Sequence, residues 1–225
     1  MQLTLPPRVK ICCIASTAEA AMAVRCGAAA VGLVSAMPSG PGVIGDDLIA
    51  AIARSVPPGV ASFLLTSHQT ASQIIDQQRK LRTNTVQICD RLSDGTYAHL
   101  RDALPGIGLV QVVHVAGEDA IDEAIAVSKH VDAVLLDSGN QKAAIKELGG
   151  TGRRHDWQIS RRIREAVDLP VYLAGGLRAE NVVEAIETVR PFGLDVCSGV
   201  RTAGLLDPSK LEQFFKAVRA AAAMQ

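Results

Sequence analysis

The sequence predicts an α/β protein folded as a (β/α)8 TIM barrel, with eight parallel strands in one closed sheet. Two observations lead to this prediction. Eight short apolar runs are spread along 225 residues, and most are continuously apolar, which is typical of parallel strands buried on both faces. Between them lie segments with helical periodicity, so strand and helix alternate eight times. A doubly wound open sheet is the alternative, but it usually has fewer repeats at this length, and no GxGxxG motif follows the first run.

The apolar runs predict the strands in chain order. The first is VKICCIA (9–15), in which the adjacent Cys12 and Cys13 should point to opposite sides of the sheet, so that only one can face the barrel centre. The other runs are short and apolar. They lie at 29–35, 59–67, 85–89, 108–115, 132–137, 170–176 and 194–199.

The segments between these runs predict the helices. The first, TAEAAMAVRCG (17–27), places Ala18, Ala21, Met22 and Cys26 on one face. Only the segment 93–104 has a weak pattern. The other predicted helices lie at 45–55, 67–81, 118–130, 156–167, 178–189 and 207–223.

Composition excludes several classes of function. The chain has 23 basic and 23 acidic residues and only 3% aromatic residues, which argues against nucleic acid or an anionic membrane as a partner. There is no secretory signal pattern and no apolar run of the ~18 residues that span a bilayer. Five cysteines without paired spacing predict reduced thiols and a cytoplasmic protein, with no metal site. No linker interrupts the chain, so we expect one domain, 1–225.

The predicted strand ends are where a barrel carries its chemistry. The sixth strand ends at Asp137, an acid with no packing reason to follow an apolar strand, although it could also cap a helix or form a loop salt bridge. The longest loop, 138–155, follows it, and loops of this length are usually functional. Within that loop GGTG (149–152), which contains Gly150 and Gly152, lets backbone N–H groups approach an anion.

Two further glycine sites follow the last two predicted strands. LAGGL (173–177) supplies Gly175 and Gly176, and CSGV (197–200) supplies Ser198 and Gly199. Glycines after the seventh and eighth strands commonly form the phosphate site of a barrel. Tight turns alone would also use glycine, but three such sites at one corner favour phosphate binding.

Seven motifs together resemble the phosphoribosylanthranilate isomerase family. They span almost the whole chain, and the last three are specific. In chain order they are KICC (10–13), GAAAVGLV (27–34), VQICD (86–90), LLD (135–137), GGTGRRHDW (149–157), LAGGLRAENV (173–182) and RPFGLDVCSGVR (190–201). The resemblance implies a cofactor-free (β/α)8 enzyme of tryptophan biosynthesis, active on a phosphorylated small molecule as a monomer or homodimer.

The resemblance also implies the reaction and its residues. The family carries out an Amadori rearrangement of an N-(5-phosphoribosyl) amine by general acid/base chemistry. By motif the base is Cys12, whose thiolate would remove the C2 proton, and the acid is Asp137, which would protonate the furanose oxygen. The phosphate would lie on the backbone of Gly150, Gly152, Gly175, Gly176, Ser198 and Gly199, and its binding energy would hold the sugar between acid and base.

The chain departs from the family pattern at four places, all on the side of the aglycone. Gly42 stands where the family has the arginine that holds the anthranilate carboxylate, and a glycine offers no bidentate fork. Cys13 replaces a glycine after the base, where it would crowd or re-aim the thiol, and Cys89–Asp90 replaces His–Gly. Arg201 replaces a glutamate.

These departures leave alternatives open. Arg153, Arg154 or Arg201 could supply a substitute cation to the aglycone, although loop arginines are usually solvated. The chain could instead isomerise a different phosphosugar in a remodelled aglycone site, or be a non-catalytic protein that binds a phosphate ligand. Retention of both Cys12 and Asp137 argues against the non-catalytic alternative.

Overall fold

The computed structural model describes residues 6–139, 148 and 154–223, and the side chains of these residues as far as 221. Within them eight parallel strands close into a barrel, in which each strand pairs with its neighbour in the sequence and β8 pairs with β1. This confirms the predicted (β/α)8 barrel. The strands are β1 (Arg8–Ile11), β2 (Ala30–Val34), β3 (Ala61–Thr66), β4 (Thr85–Ile88), β5 (Gly108–His114), β6 (Ala133–Asp137), β7 (Val171–Leu173) and β8 (Gly193–Val196).

Helices of the described residues follow the strands around the outside of the barrel. They are α1 (Thr17–Cys26), α2 (Asp46–Ser55), α3 (Ala71–Leu81), α4 (Tyr97–Ala103), α5 (Asp119–Ser128), α6 (Trp157–Ala166), α7 (Val182–Val189) and α8 (Pro208–Ala223). Local capping sets several of the starts, since Ser16, Thr70, Thr96 and Asp156 each accept a hydrogen bond from a backbone N–H in the first turn. No helix of the described residues is long and apolar enough to cross a membrane.

Two separate apolar clusters hold the barrel. The larger one packs the outer faces of the strands against the helices and includes Ile11, Leu33, Leu64 and Phe214. The smaller one fills the barrel interior with side chains such as Phe63, Val110 and Leu135, and it also contains Cys12 and Cys13. The interior is therefore a packed core that ends at the floor of a pocket.

Two predicted strands are shorter than their apolar runs because the backbone turns left-handed. The first apolar run extends to residue 15, but β1 ends at Ile11 and Cys13 has φ = 60°. The seventh was expected to reach residue 176, but β7 ends at Leu173, and Gly175 and Gly176 have φ of 82° and 65°. After β8 the chain forms a short 3-10 turn and a two-stranded hairpin, β9 (Arg201–Thr202) with β10 (Leu205–Leu206), neither of which the sequence pattern predicted.

Candidate active site

A pocket of roughly 680 Å³, including space open to solvent, lies at the carboxyl ends of the barrel strands. Its wall comes from seven of the strand ends, all but that of β5, and the loops that follow them. The polar and sulfur-bearing residues that line it are Cys12, Cys13, Met37, Ser39, Gln87, Cys89, Asp137, Asp195, Cys197 and Ser198.

The predicted acid and base line this same pocket. Cys12 directly follows β1, is 6% exposed, and its N–H donates to Val196 O at 2.9 Å, which ties it to β8. Asp137 ends β6 and is 8% exposed, and its Oδ1 accepts a hydrogen bond from the Ser138 N–H at 2.7 Å. A barrel in which β1 and β6 end at one face therefore brings together two residues that are 125 positions apart, from 12 to 137.

Three of the residues predicted to bind phosphate lie together in the described part of the chain. Gly175, Gly176 and Ser198 line the pocket beside Cys197. The consecutive left-handed conformations of Gly175 and Gly176 are ones that side chains rarely adopt. Among the described residues nothing accepts a hydrogen bond from the N–H of either glycine, so both donors remain available to an anion.

Of the other residues predicted to bind phosphate, one lies outside the pocket wall and two lie outside the described residues. Gly199 lies in the 3-10 turn, and a Cβ there would overlap the carbonyl of Leu177, so this position joins the loops after β7 and β8 and is not in the pocket wall. Gly150, Gly152 and Arg153 lie outside the described residues. Leu148, from the same predicted loop, is 6% exposed and lines the pocket.

The expectation that only one of the paired cysteines faces the pocket is wrong. Both Cys12 and Cys13 line it, and Cys13 is 5% exposed. The alternation of side chains holds only along a regular strand, and the left-handed backbone at Cys13 interrupts it. Cys13 Sγ lies 2.7 Å from Cys197 Sγ and 3.7 Å from Pro41 O.

The side chain of Cys13 fills the space beside Gly42 that a side chain at position 42 would need. Gly42 has φ = 81°, and a Cβ on it would overlap the Cβ of Cys13 and lie 2.9 Å from its Cα and Sγ. Two of the departures from the family pattern are therefore coupled, because a side chain at 13 leaves no room for one at 42.

Arg201 supports the pocket from outside its lining. Its side chain is 8% exposed and forms an ion pair with Glu19 at 3.1 Å. The guanidinium also donates to the carbonyls of Cys12 and Cys13, at 3.2 Å for Cys12. The structure thus engages Arg201 in holding the loop after β1 and does not bring it among the pocket-lining residues with Cys12 and Asp137.

An ion pair at the pocket floor was missed by sequence reasoning. Lys10 is fully buried, and its Nζ lies 2.8 Å from Asp195 Oδ2 and 5.3 Å from the ring centroid of Phe63. Burial disfavours the charge on Lys10, but Asp195 outweighs it and the pKa of Lys10 is raised. Burial also raises the pKa of Asp195, against the pull of Lys10. Lys10 could have been recognised as a charged residue inside an apolar run.

Two buried acceptors on the pocket floor have no hydrogen-bond partner among the described residues. These are Asp195 Oδ1 and Gln87 Oε1. A buried acceptor without a partner is costly, so both atoms are suited to receive hydroxyl groups of a bound sugar. Cys89 lies beside them, and burial raises the pKa of its thiol, which keeps that thiol protonated near neutral pH.

Comparison with known proteins agrees with this geometry. A family model described as N-(5'phosphoribosyl)anthranilate (PRA) isomerase matches residues 9–217. A relative from Methanocella arvoryzae named N-(5'-phosphoribosyl)anthranilate isomerase is 37% identical over 193 residues, which cover 86% of this chain and 88% of the relative. One of the same name from Haloarcula marismortui is 37% identical over 198 residues, 88% of each chain.

Solved structures give the same picture. Phosphoribosyl anthranilate isomerase from Thermotoga maritima has a TM-score of 0.78 and 29% identity, over 95% of this chain and 99% of that one. A phosphoribosyl anthranilate isomerase in complex with reduced 1-(o-carboxyphenylamino)-1-deoxyribulose 5-phosphate has a TM-score of 0.76 and 27% identity, over the same shares of the two chains. The family model covers nearly all of the barrel, and the chain belongs to the N-(5'-phosphoribosyl)anthranilate isomerase family.

Proposed function

We propose that this chain isomerises N-(5'-phosphoribosyl)anthranilate in tryptophan biosynthesis. The observation that carries the proposal is the shared pocket of Cys12 and Asp137, which meets the glycine loop after β7 at one end of the barrel. Membership of the family, and relatives that carry this name over most of their length, support it.

The reaction divides between two residues. Asp137 donates a proton to the furanose oxygen, the C1–O bond breaks, and the ring opens to a Schiff base. Cys12, as a thiolate, then removes the proton from C2, and the resulting enol tautomerises to the 1-amino-1-deoxy-ketose. Every proton in this sequence moves between the substrate and the acid, the base or water, and no electrons are exchanged with a cofactor.

The other pocket residues position the substrate. The free N–H groups of Gly175 and Gly176, with Ser198, would hold the 5'-phosphate. Asp195 Oδ1 and Gln87 Oε1 would accept hydrogen bonds from the sugar hydroxyls. Binding the phosphate away from the reacting carbon fixes C2 between acid and base, which is how remote binding energy contributes to rate. The predicted roles of Gly150, Gly152 and Gly199 remain part of this proposal.

We further infer one domain that acts in the cytoplasm as a monomer or a homodimer. The five cysteines, all unpaired, suit a reducing compartment. A solved relative from Thermotoga maritima is described as a dimeric isomerase of which monomers were generated. Light scattering of the purified chain distinguishes the two states.

The direct test is turnover of phosphoribosylanthranilate by the purified chain, followed as loss of substrate fluorescence. We expect turnover, with the 1-(o-carboxyphenylamino)-1-deoxyribulose 5-phosphate found by mass spectrometry. The absence of turnover, together with inorganic phosphate that still binds, would contradict anthranilate as the aglycone and favour a different phosphosugar. Cys26→Ser is a suitable control variant, because Cys26 lies on α1 outside the pocket lining.

A further inference from the structure

Two cysteines in the pocket wall come from the two strands that close the barrel. Cys13 follows β1, and Cys197 follows β8. Their Sγ atoms lie 2.7 Å apart although the residues are 184 positions apart in the chain. A disulfide requires an S–S distance of about 2.05 Å, so the two sulfur atoms need to approach by only about 0.7 Å.

The backbone that carries the pair is held firmly. β1 and β8 are hydrogen-bonded in parallel register, and the Cys12 N–H donates to Val196 O at 2.9 Å, one residue before each cysteine of the pair. Arg201 donates to the carbonyls of Cys12 and Cys13 and is itself paired with Glu19. The left-handed backbone at Cys13 aims its side chain at Cys197, and Gly42 leaves space for it.

The surroundings also favour thiol chemistry. The hydrogen bond between the two thiols lowers the pKa of Cys197, and the nearby Arg201 guanidinium lowers it further, although burial opposes both. Hydrogen bonds with Cys12 and Cys197 raise the pKa of Cys13, which favours the protonated thiol at this residue. The lowered pKa of Cys197 favours formation of its thiolate beside the Cys13 thiol, and both residues line a pocket that an oxidant of small size can enter.

We propose that Cys13 and Cys197 are a reversible oxidation site, which a hydroperoxide converts to a disulfide in the wall of the pocket. The Cys197 thiolate attacks the peroxide, breaks the O–O bond and becomes a sulfenic acid. The Cys13 thiol then attacks that sulfur and expels water. The two thiols lose two electrons and two protons, and hydrogen peroxide is reduced to two molecules of water. A dithiol reverses the reaction by thiol–disulfide exchange.

Oxidation acts on the site of the proposed isomerase, and this consequence rests on that proposed function. Cys13 ceases to be a thiol partner of Cys12, and the new bond draws together the loops that carry Cys12 and Ser198. Cys12 itself stays reduced. Because displacements of about 1 Å at a site can cost up to about 100-fold in rate, we expect oxidation to lower kcat/KM about 10- to 100-fold and dithiothreitol to restore it.

Thiol counting and peptide mapping test the chemistry without reference to activity. The folded wild type is treated with hydrogen peroxide, quenched and denatured, and its free thiols are titrated. We expect two of the five thiols to be lost, and dithiothreitol to return them. Tryptic digestion should yield the peptide 11–25, which contains Cys12 and Cys13, linked to the peptide that contains Cys197.

Variants assign the linkage within that peptide. Cys12→Ser should keep the cross-link, whereas Cys13→Ser and Cys197→Ser should each abolish it. Cys26→Ser should keep both the cross-link and its reversal by dithiothreitol, since Cys26 lies on α1 away from the pair.

The outcomes separate this proposal from the proposed function. A cross-link that survives in Cys13→Ser, a link between two chains, or retention of all five thiols would overturn it. So would equal cross-linking of the urea-unfolded chain, because the folded geometry would then not be the cause. A chain that forms the link but never turns over phosphoribosylanthranilate would refute only the proposed function.

Discussion

The side chain of Cys13 occupies the space that any side chain at position 42 would need. A Cβ on Gly42 would overlap the Cβ of Cys13, and the backbone of Gly42 is left-handed with φ = 81°. The two residues belong to loops after β1 and β2, 29 positions apart from 13 to 42, and a side chain added at 42 would have to displace that of Cys13.

Gly42→Arg alone should therefore be harmful, even though an arginine there matches the family pattern. We expect the free energy of unfolding to fall by about 2–4 kcal/mol, because overpacking adds to left-handed strain. The double variant Cys13→Gly/Gly42→Arg should regain part of the loss, since glycine adopts the φ of 60° at position 13 without strain. Urea unfolding of the two singles and the double gives the coupling energy.

Gly106→Arg is the matched control for this cycle. Gly106 also has a left-handed backbone, with φ = 80°, but a Cβ there meets nothing within 4 Å. It should cost only the backbone strain of about 1–2 kcal/mol. If Gly42→Arg is no worse than Gly106→Arg, or if Cys13→Gly gives no rescue, the steric coupling is refuted.

The ion pair below the pocket gives a second prediction. Asp195→Asn leaves the Lys10 ammonium buried without its counter-charge, so we expect a loss of about 3–5 kcal/mol in unfolding free energy. Lys10→Met/Asp195→Asn should recover much of this stability. If Asp195 also contacts the substrate, the recovered double variant should still show a raised KM.

An exposed ion pair provides the comparison for that measurement. Lys80 and Asp46 also lie 2.8 Å apart, but their side chains are 62% and 41% exposed. Asp46→Asn should change stability by no more than about 1 kcal/mol. Equal effects of the two Asp→Asn substitutions would show that burial of Lys10 does not determine the cost.

The Glu19–Arg201 pair gives a pH-dependent prediction. Burial opposes the charge on Glu19, but hydrogen bonds from Arg201 and from the N–H groups of Leu206 and Ala15 hold its pKa below the ordinary value of 4.5. The folded state thus binds this proton less tightly than the unfolded chain. The stabilisation is complete above pH 4.5 and is lost as the pH falls through the lower folded pKa.

Glu19→Gln should accordingly lower the unfolding free energy by about 1–3 kcal/mol at neutral pH, through loss of charge-assisted hydrogen bonds. The difference from wild type should shrink when urea unfolding is repeated well below pH 4.5. Glu165→Gln removes an exposed pair with Arg161 and should change the unfolding free energy far less than Glu19→Gln does. A Glu19→Gln penalty that does not vary with pH would contradict the assignment.

Much of the fold could be predicted from the sequence. Apolar runs rich in β-branched residues indicate buried strands, and apolar residues repeated at helical spacing indicate helices that pack against them. Asp137 and the glycines at 175 and 176 were found for the same reason, since strand ends are fixed by the barrel. The direction of the Cys13 side chain could not be predicted from the sequence. Its left-handed backbone interrupts the in-and-out alternation of a regular strand, on which the prediction for Cys12 and Cys13 depended. The contact of residue 13 with Gly42, and the turn of Arg201 towards Glu19, depend on loops that only tertiary packing brings together.

The central claim is that Cys12 and Asp137 form an acid/base pair in one pocket, and kcat/KM for phosphoribosylanthranilate in matched variants tests it most directly. Cys12→Ser and Asp137→Asn should each lose about 10²- to 10⁴-fold, the usual contribution of general acid/base catalysis, while Cys26→Ser keeps the wild-type value. Circular dichroism establishes that all three are folded. Retention of activity within about tenfold of wild type by folded Cys12→Ser or Asp137→Asn would contradict the claim.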